Sequence, residues 1–213
     1  MARRTKEEAQ ATRERLLDTA ETMFLQRGVA RTSLNDIARA AGLTRGAVYW
    51  HFDDKAALYN ALMDRFSARC TPLLDALHQA PVNDPAMILR RMALIPIELM
   101  LTDTQIRRLF TIAMHRIEFS DDLAAIWQRH VSRGAEYIDM LQQQLEALQA
   151  TPQGCTLRLP VRLAALGLFA LVHGLLTHAS LDAAGFAALQ DAPALIDAYL
   201  TGVGCPPPAP PAN

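Results

Sequence analysis

Apolar side chains recur every three to four positions along most of this chain. This is the period of an amphipathic α-helix, and the alternation of apolar and polar positions expected of a half-buried strand is absent. The pattern therefore predicts an all-α protein of about nine helices. Three of them fall before residue 55, and the other six are predicted at residues 55–70, 85–101, 104–118, 122–150, 160–181 and 193–203.

Two short helices separated by a tight turn are predicted within residues 32–52. Ser33 and Asp36 have the spacing of a capping box that begins the first of them. Gly42 lies where that helix must end, because glycine tolerates a left-handed backbone, and Thr44 can cap the second helix. Two helices joined in this way have the dimensions of a helix-turn-helix, and an ordinary helical hairpin is the alternative.

The second short helix of a helix-turn-helix lies in the major groove of DNA, with its N-terminal residues at the base edges. Thr44, Arg45, Gly46 and Ala47 occupy these positions and are the candidates for base contacts. Arg45 has the guanidinium that can bind O6 and N7 of a guanine together, while the two small residues allow close approach.

Charge is distributed unevenly along the chain. Residues 1–52 contain nine lysines and arginines against six acidic residues, a net charge of +3, whereas the whole chain has a net charge of −1. A basic N-terminal segment on an acidic body is expected when only that end meets phosphate. The distribution favours double-stranded DNA as a partner over the ordinary hairpin.

The first 62 residues are similar to a known family. The run from MARRTKEEAQ to TRGAVYWHF and on to residue 62 resembles the N-terminal domain of TetR-family repressors, and within that family the AcrR-like regulators of multidrug efflux operons. Beyond residue 62 the resemblance lies in length, helix pattern and fragments such as HRIEFSDD. It implies a three-helix DNA-binding domain at residues 1–54 and a ligand-binding and dimerisation domain at 55–204. The proline-rich composition of residues 205–213, CPPPAPPAN, predicts a disordered tail.

The resemblance also implies DNA contacts outside the base-reading turn. A helix N-terminus carries free N–H groups and a partial positive charge, which suits a phosphate oxygen at Thr32 and Ser33. Asp53 and Asp54 depart from the family pattern. They either place two negative charges near the DNA backbone, which would weaken binding, or cap the following helix. The predicted contacts to backbone, phosphate and flanking bases are Thr32, Ser33, Tyr49, Trp50, His51 and Lys55.

The predicted second domain has helices whose apolar faces include polarizable or hydrogen-bonding groups. Pro96 inside a helix would leave one carbonyl without its usual donor and bend the axis, which opens space between helices. Cores rich in methionine suit apolar ligands, although each residue could also be ordinary core. The candidate ligand-binding residues are Phe66, Leu89, Met92, Ala93, Pro96, Phe110, Met114, Tyr137, Met140, Leu141, Phe169, Val172, His173 and Leu176.

Dimerisation is a further requirement, because a single recognition helix contacts too few base pairs and such proteins read two half-sites. The last two predicted helices are the expected interface between two copies, with packing inside one chain as the alternative. The candidates are Leu163, Gly167, Leu171, Gly174, Leu175, Leu195, Ile196, Tyr199 and Leu200.

Other function classes receive little support from the sequence. It contains no GxSxG, no phosphate loop, no HExxH and no paired CxxC, so no enzyme activity, cofactor or metal site is predicted. No apolar run reaches the roughly 18 residues of a membrane span, and the N-terminus lacks the apolar segment of a signal peptide. Cys70, Cys155 and Cys205 are odd in number and far apart, as expected in a reducing cytoplasm.

The sequence therefore predicts a cytoplasmic homodimeric repressor that does not act at a membrane. Its partners would be a palindromic operator and small apolar or aromatic molecules that release the DNA. Control of a multidrug efflux operon is the favoured role, and regulation of an unrelated metabolic or stress operon is the alternative.

Overall fold

A computed structural model describes residues 2–79, 84–118, 123–151 and 155–205. The described residues form α-helices and one 3-10 turn, Leu189–Asp191, and contain no strand, which confirms the all-α prediction. The ten α-helices of this described part of the chain are α1 (Ala2–Arg27), α2 (Leu34–Ala40), α3 (Arg45–His51), α4 (Lys55–Gln79), α5 (Pro85–Thr102), α6 (Thr104–His115), α7 (Ala124–Gln149), α8 (Val161–Ala179), α9 (Ala183–Ala188) and α10 (Ala192–Gly202).

Two helices differ from the prediction. α4 continues beyond residue 70 and contains Pro72. A proline inside a helix removes only one backbone hydrogen bond, and a long helix can tolerate that loss by bending. α9 was not predicted, since six residues are too few to show a helical period. It begins at Asp182, whose carboxylate accepts a hydrogen bond of 2.7 Å from the amide of Gly185.

The ends of the predicted elements also need correction. α6 ends at His115, three residues earlier than expected, and residues 119–122 lie outside the described part of the chain. Cys205 was assigned to a disordered tail, but it is buried at 1% exposure and its amide donates to the carbonyl of Leu200. Residues 206–213, the rest of that predicted tail, lie outside the described residues.

The chain divides into two compact units. The first contains Met1–Ala68 and Arg108–His130, and the second contains Arg69–Arg107 and Val131–Asn213. This division falls inside α4 rather than at residue 54. The predicted domains at residues 1–54 and 55–204 were defined by function, whereas these units are defined by internal contacts. The functional limits therefore stay a prediction.

The first unit is built on a core shared by α1 to α4. Phe24, Ile37, Val48 and Leu62 contribute one fully buried side chain from each of these helices. Ile112 of α6 belongs to the same core. The two short helices are therefore held by apolar packing against α1 and α4, which fixes the orientation of α3 within this unit.

The second unit is built around α5, α8 and α10, which pack against one another. Leu89, Leu168 and Ile196 are buried members of its core. At its edge the guanidinium of Arg90 donates two hydrogen bonds, of 2.6 and 2.9 Å, to the carboxylate of Asp197. This bidentate pair joins α5 to α10.

α8 is long and apolar enough, by length and composition alone, to cross a membrane, which differs from the prediction of no such segment. A core helix of a water-soluble protein meets the same criterion, and α8 packs against α5, α9 and α10. It also leaves Leu163 and Leu166 nearly half exposed, at 48% and 45%. Only part of the apolar surface of α8 is therefore buried by other helices of the same chain.

Candidate nucleic-acid interface

The N-terminus of α2 has the predicted capping box. The Ser33 hydroxyl oxygen accepts a hydrogen bond of 3.1 Å from the amide of Asp36, and the Asp36 carboxylate accepts one of 3.2 Å from the amide of Ser33. The Ser33 hydroxyl also donates to this carboxylate at 2.6 Å, and these bonds lower the pKa of Asp36. Two amides at the N-terminus of α2, where a phosphate contact is predicted, therefore already donate within the capping box.

Thr32 does not present its side chain for a DNA contact. It is only 1% exposed, and its hydroxyl donates to the carbonyl of Gly28 at 2.8 Å. The Thr32 amide donates to the carbonyl of Val29. Both donors of Thr32 therefore stabilise the turn between α1 and α2, and a DNA phosphate contact at this position stays a prediction.

The turn between α2 and α3 depends on Gly42. Its φ of +65° lies in the left-handed region, as predicted, and a Cβ added there would lie 2.8 Å from the guanidinium of Arg15. That guanidinium donates to the carbonyl of Ala41, and the amide of Leu43 donates back to Ala38 at 2.8 Å. The backbone angle therefore favours glycine, whereas the Arg15 guanidinium ends a flexible side chain that can shift.

The recognition helix α3 begins as the sequence predicts. The Thr44 hydroxyl oxygen caps it by accepting a hydrogen bond of 3.2 Å from the amide of Ala47. Val48 and Phe52 are buried and hold α3 against the core, while Ala47 is partly buried. The exposed residues of this segment are Thr44, Arg45, Gly46, Tyr49 and Trp50, and we refer to them as the recognition face.

Arg45 and the aromatic residues give the recognition face its chemistry. The guanidinium carbon of Arg45 lies 5.4 Å from the centre of the Tyr49 ring, one helical turn away. Within the described residues Arg45 forms no ion pair with a carboxylate, so its charge is available to another molecule. Trp50 is 72% exposed, and the centre of its ring lies 4.5 Å from that of His51 in a T-shaped arrangement. An indole this exposed is unusual on a surface that meets only water.

His51, like Ala47, is partly buried, unlike the other predicted contacts on α3. Partial burial lowers its pKa, and the nearby positive charge of Arg13 acts in the same direction. At neutral pH this histidine is therefore mainly uncharged. It can offer a hydrogen bond to a phosphate but contributes little charge.

The start of α4 resolves the question raised by the two aspartates. The Asp54 carboxylate accepts a hydrogen bond of 2.7 Å from the amide of Ala57, so Asp54 caps α4. Lys55 extends back to the turn after α1, where its ammonium donates to the carbonyls of Val29 and Ala30 at 3.0 and 3.2 Å. Sequence reasoning missed this contact because its partners lie 25 and 26 residues away.

In the second unit, a tyrosine replaces the donor that Pro96 lacks. The carbonyl of Met92 lies four residues before Pro96 in α5 and has no amide to bind there. The Tyr137 hydroxyl, on α7, donates to this carbonyl at 2.7 Å. Burial raises the pKa of Tyr137, so the hydroxyl keeps its proton.

Three aromatic side chains continue from this hydrogen bond. The ring of Tyr137 lies 6.3 Å from that of Phe169, and Phe169 lies 5.3 Å from the ring of His173 on the next turn of α8. Burial lowers the pKa of His173, which favours its neutral form. Among the other ligand candidates in this unit, Pro96 and Met140 are partly buried, and the buried ones are Leu89, Met92, Ala93, Leu141, Val172 and Leu176.

The remaining ligand candidates belong to the first unit. Phe66 packs against the core of α1 to α4, Phe110 is buried at 8% exposure, and Met114 is partly buried. The predicted ligand set is therefore divided between the two compact units.

Several residues assigned to a dimer interface pack inside one chain instead. Ile196 and Leu200 are buried in the second unit. A Cβ added to Gly167 would collide with the Tyr199 hydroxyl, which donates to the carbonyl of Ala164 at 2.8 Å. Gly167 thus allows α8 and α10 of the same chain to approach. The expected interface residues that remain exposed are Leu163, Gly174 and Leu195.

Comparison with protein families agrees with this geometry. Residues 16–62 match the family described as bacterial regulatory proteins, tetR family. Residues 84–204, more than half of the chain, match the MAATS-type transcriptional repressor C-terminal region. The chain belongs to the TetR family. Its recognition face lies within the first of these matches, and the Pro96 and Tyr137 pair lies within the second.

Individual relatives of this TetR-family chain are similar over most of its length. It is 40% identical to the transcriptional regulator ArpR of Pseudomonas putida over 178 residues, 83% of each chain. The crystal structure of NalD, the secondary repressor of the MexAB-OprM multidrug efflux pump in Pseudomonas aeruginosa, has 32% identity and a TM-score of 0.80, and covers 93% of this chain and 98% of its own. The triclosan complex of SmeT, the repressor of the Stenotrophomonas maltophilia pump SmeDEF, has 30% identity and a TM-score of 0.75, with coverage of 95% and 100%.

Proposed function

We propose that this TetR-family protein is a ligand-responsive repressor that binds a palindromic operator as a homodimer and controls a multidrug efflux operon. The observation that carries the proposal is the recognition face on α3, where Arg45 is exposed beside the Tyr49 ring and has no carboxylate partner among the described residues, and where Trp50 is also exposed. The similarity to repressors of efflux pumps supports the choice of operon. The protein acts in the cytoplasm, where the operator is.

On DNA, the recognition face lies in the major groove and its N-terminal end reads bases. Arg45 has the donors for bidentate contact with a guanine, while Tyr49 and Trp50 contact the flanking backbone. Ser33, His51 and Lys55 are the proposed phosphate contacts. Thr32 is left out of the proposed contacts because its side chain is buried.

Two copies are required to read two half-sites, whose centres lie about 34 to 36 Å apart. We place the contact between the copies on the exposed apolar part of α8 and α10. Leu163, Leu166 and Leu195 are 48%, 45% and 45% exposed there, and nothing lies within 4 Å of a Cβ added to Gly174. These residues, rather than the buried Ile196 and Leu200, form the proposed interface.

The proposed inducer is a small apolar or aromatic molecule that binds beside the ring cluster of Tyr137, Phe169 and His173. These side chains offer apolar area together with a neutral imidazole, a combination typical of small-molecule sites. The triclosan complex of a relative supports an aromatic ligand. To move the population from about 1% to 99% released, the ligand must favour the released state by about 5.5 kcal/mol.

DNA binding is tested by titrating the purified protein against the promoter of its own gene and of neighbouring pump genes, with random DNA of equal length as the control. Arg45→Ala should weaken promoter binding by about 1 to 3 kcal/mol per half-site and relax specificity at one base position. Arg133→Ala removes the same charge from an exposed position on α7 and should leave binding unchanged. Equal losses on promoter and random DNA for Arg45→Ala would contradict base reading.

The inducer is tested with triclosan and the same promoter fragment. Phe169→Trp fills space beside Tyr137 and should change the triclosan concentration needed for release. Leu181→Trp, at a position 63% exposed just after α8, is the control and should respond as the unmodified protein does. If the protein binds the promoter of an unrelated metabolic operon and does not bind the pump promoters, the alternative regulatory role is favoured.

A further inference from the structure

Two cysteines that are 50 residues apart in the sequence meet in the second unit. The Sγ atoms of Cys155 and Cys205 lie 2.7 Å apart, and both residues are buried free thiols, with 8% and 1% exposure. A disulfide bond measures about 2.05 Å, so the two sulfurs are within about 0.7 Å of bonding distance. The wide spacing of the three cysteines along the sequence gave no indication of this contact.

The backbone holds the two segments side by side. The amide of Arg158 donates to the carbonyl of Val203 at 2.9 Å, and the amide of Cys205 donates to Leu200 at 2.8 Å. Gly204 has a φ of +96°, and a Cβ added there would collide with the carbonyl oxygen of Thr156. Only glycine at position 204 allows this close approach, and the approach brings the segment that contains Cys155 next to Cys205.

We propose that Cys155 and Cys205 form a reversible dithiol and disulfide site, oxidised by hydroperoxides, that links the segment before α8 to the end of α10. This inference is independent of the proposed repressor function, because it concerns the chemistry of the second unit alone. Cys70, the third thiol, serves as an internal reference, since the structure pairs it with no other cysteine among the described residues.

The chemistry is balanced by one hydroperoxide for each disulfide. The Cys155 sulfur, as thiolate, attacks the outer peroxide oxygen; the O–O bond breaks, and an alcohol leaves, or water when the oxidant is hydrogen peroxide. The sulfur of Cys205 then attacks the resulting sulfenic acid at Cys155, the S–O bond breaks and water leaves. The two thiols lose two electrons, which the hydroperoxide gains.

The structure also gives the order of attack. Cys155 is the more exposed of the two thiols. Burial, together with the neighbouring Cys155 thiol, raises the pKa of Cys205 to about 12, so Cys205 keeps its proton and reacts second. Cys155 is therefore the residue that forms the sulfenic acid, and Cys205 is the residue that resolves it.

The bond would close a loop that contains α8, α9 and α10. Closing a loop restricts the unfolded chain more than the folded one, and disulfides are typically stabilising for this reason. For a chain of this size, the oxidised protein should melt about 4 to 16 °C above the reduced protein.

The experiment treats the reduced full chain with hydrogen peroxide, quenches it, and counts the remaining thiols after unfolding. Two of the three thiols should be lost, dithiothreitol should restore both, and tryptic mapping should join the fragment ending at Arg158 to the one beginning at Leu163. Cys70→Ser is the control and should still lose two thiols. In Cys205→Ser, Cys155 should accumulate as a sulfenic acid that dimedone traps.

Three results would overturn the proposal. The first is loss of thiols only when peroxide is added to the unfolded chain. The second is a disulfide between chains or through Cys70. The third is oxidation of Cys155 to a sulfinic acid in the unmodified protein without a cross-linked fragment. Because the thiol count and the mapping use the unmodified chain, they decide the question even if a serine variant does not fold.

Discussion

The hydrogen bond from Tyr137 to Met92 should be worth more than an ordinary one because Pro96 leaves that carbonyl with no helical donor. Met92 is fully buried and the bond is 2.7 Å long. Tyr137→Phe removes the hydroxyl and leaves a buried acceptor unpaired, which costs about 1 to 3 kcal/mol. At about 2 to 4 °C for each kcal/mol, the melting temperature should fall by about 2 to 12 °C.

Pro96→Ala provides the decisive background. Alanine restores a backbone N–H at position 96, which can donate to Met92, so Tyr137→Phe should then cost less. The coupling between the two substitutions is expected within about 0.5 to 3 kcal/mol. Urea unfolding of the four proteins, followed by circular dichroism at one protein concentration, gives this value directly, because a shared concentration removes differences in self-association.

A second tyrosine gives a matched control. The Tyr199 hydroxyl also donates to a helix carbonyl, that of Ala164 at 2.8 Å, but the residue four positions on, Leu168, still has its amide. Tyr199→Phe should therefore cost about 0.5 to 1.5 kcal/mol and show no coupling to Pro96→Ala. If Tyr137→Phe costs the same in both backgrounds, within about 0.5 kcal/mol, the account of Pro96 is wrong.

Three other outcomes are expected. Gly42→Ala, at a φ of +65°, should destabilise the protein by about 1 to 2 kcal/mol in thermal unfolding. Gly202→Ala, at the end of α10 where nothing lies within 4 Å of an added Cβ, should not, and equal effects would contradict the turn geometry. Lys55→Ala should weaken binding to all DNA sequences alike and reduce the slope of log K against log salt by about 0.9, and a loss confined to the operator would argue against a phosphate role. Burial lowers the pKa of His173 in the folded state, so the unfolded chain takes up this proton more readily and stability falls as the pH drops below about 6.5. His173→Gln should therefore lose less stability than the unmodified protein between about pH 7.5 and 5.5, and an equal loss in both would contradict this sign.

The features that the sequence predicted well depend on neighbouring residues. The capping box of Ser33 and Asp36, the left-handed Gly42 and the cap at Thr44 are contacts over three to five positions, where residue type nearly decides geometry. The buried side of α3 also followed from local spacing, because Val48 and Phe52 are four residues apart. Most of the recognition face can therefore be predicted from local residue types and their spacing.

The features that the sequence did not predict join distant segments. Lys55 binds carbonyls 25 and 26 residues away, Tyr137 binds one 45 residues away, and Cys155 meets Cys205 after 50 residues. Pro96 signalled an unpaired carbonyl, but nothing local identified the hydroxyl that binds it. Thr32 shows the opposite case, because its position beside α2 suggested a surface role while tertiary packing buried it.

Trp50 makes the recognition face observable by its own fluorescence. The chain has two tryptophans, and Trp50 is 72% exposed whereas Trp127 is 40% exposed and stacked on His130 at 5.4 Å. In Trp127→Phe, the remaining indole emission would report on α3 alone. A water-soluble quencher such as iodide would then reach Trp50 in the unbound protein and be excluded when another molecule covers that helix, so binding could be followed without a label on either partner.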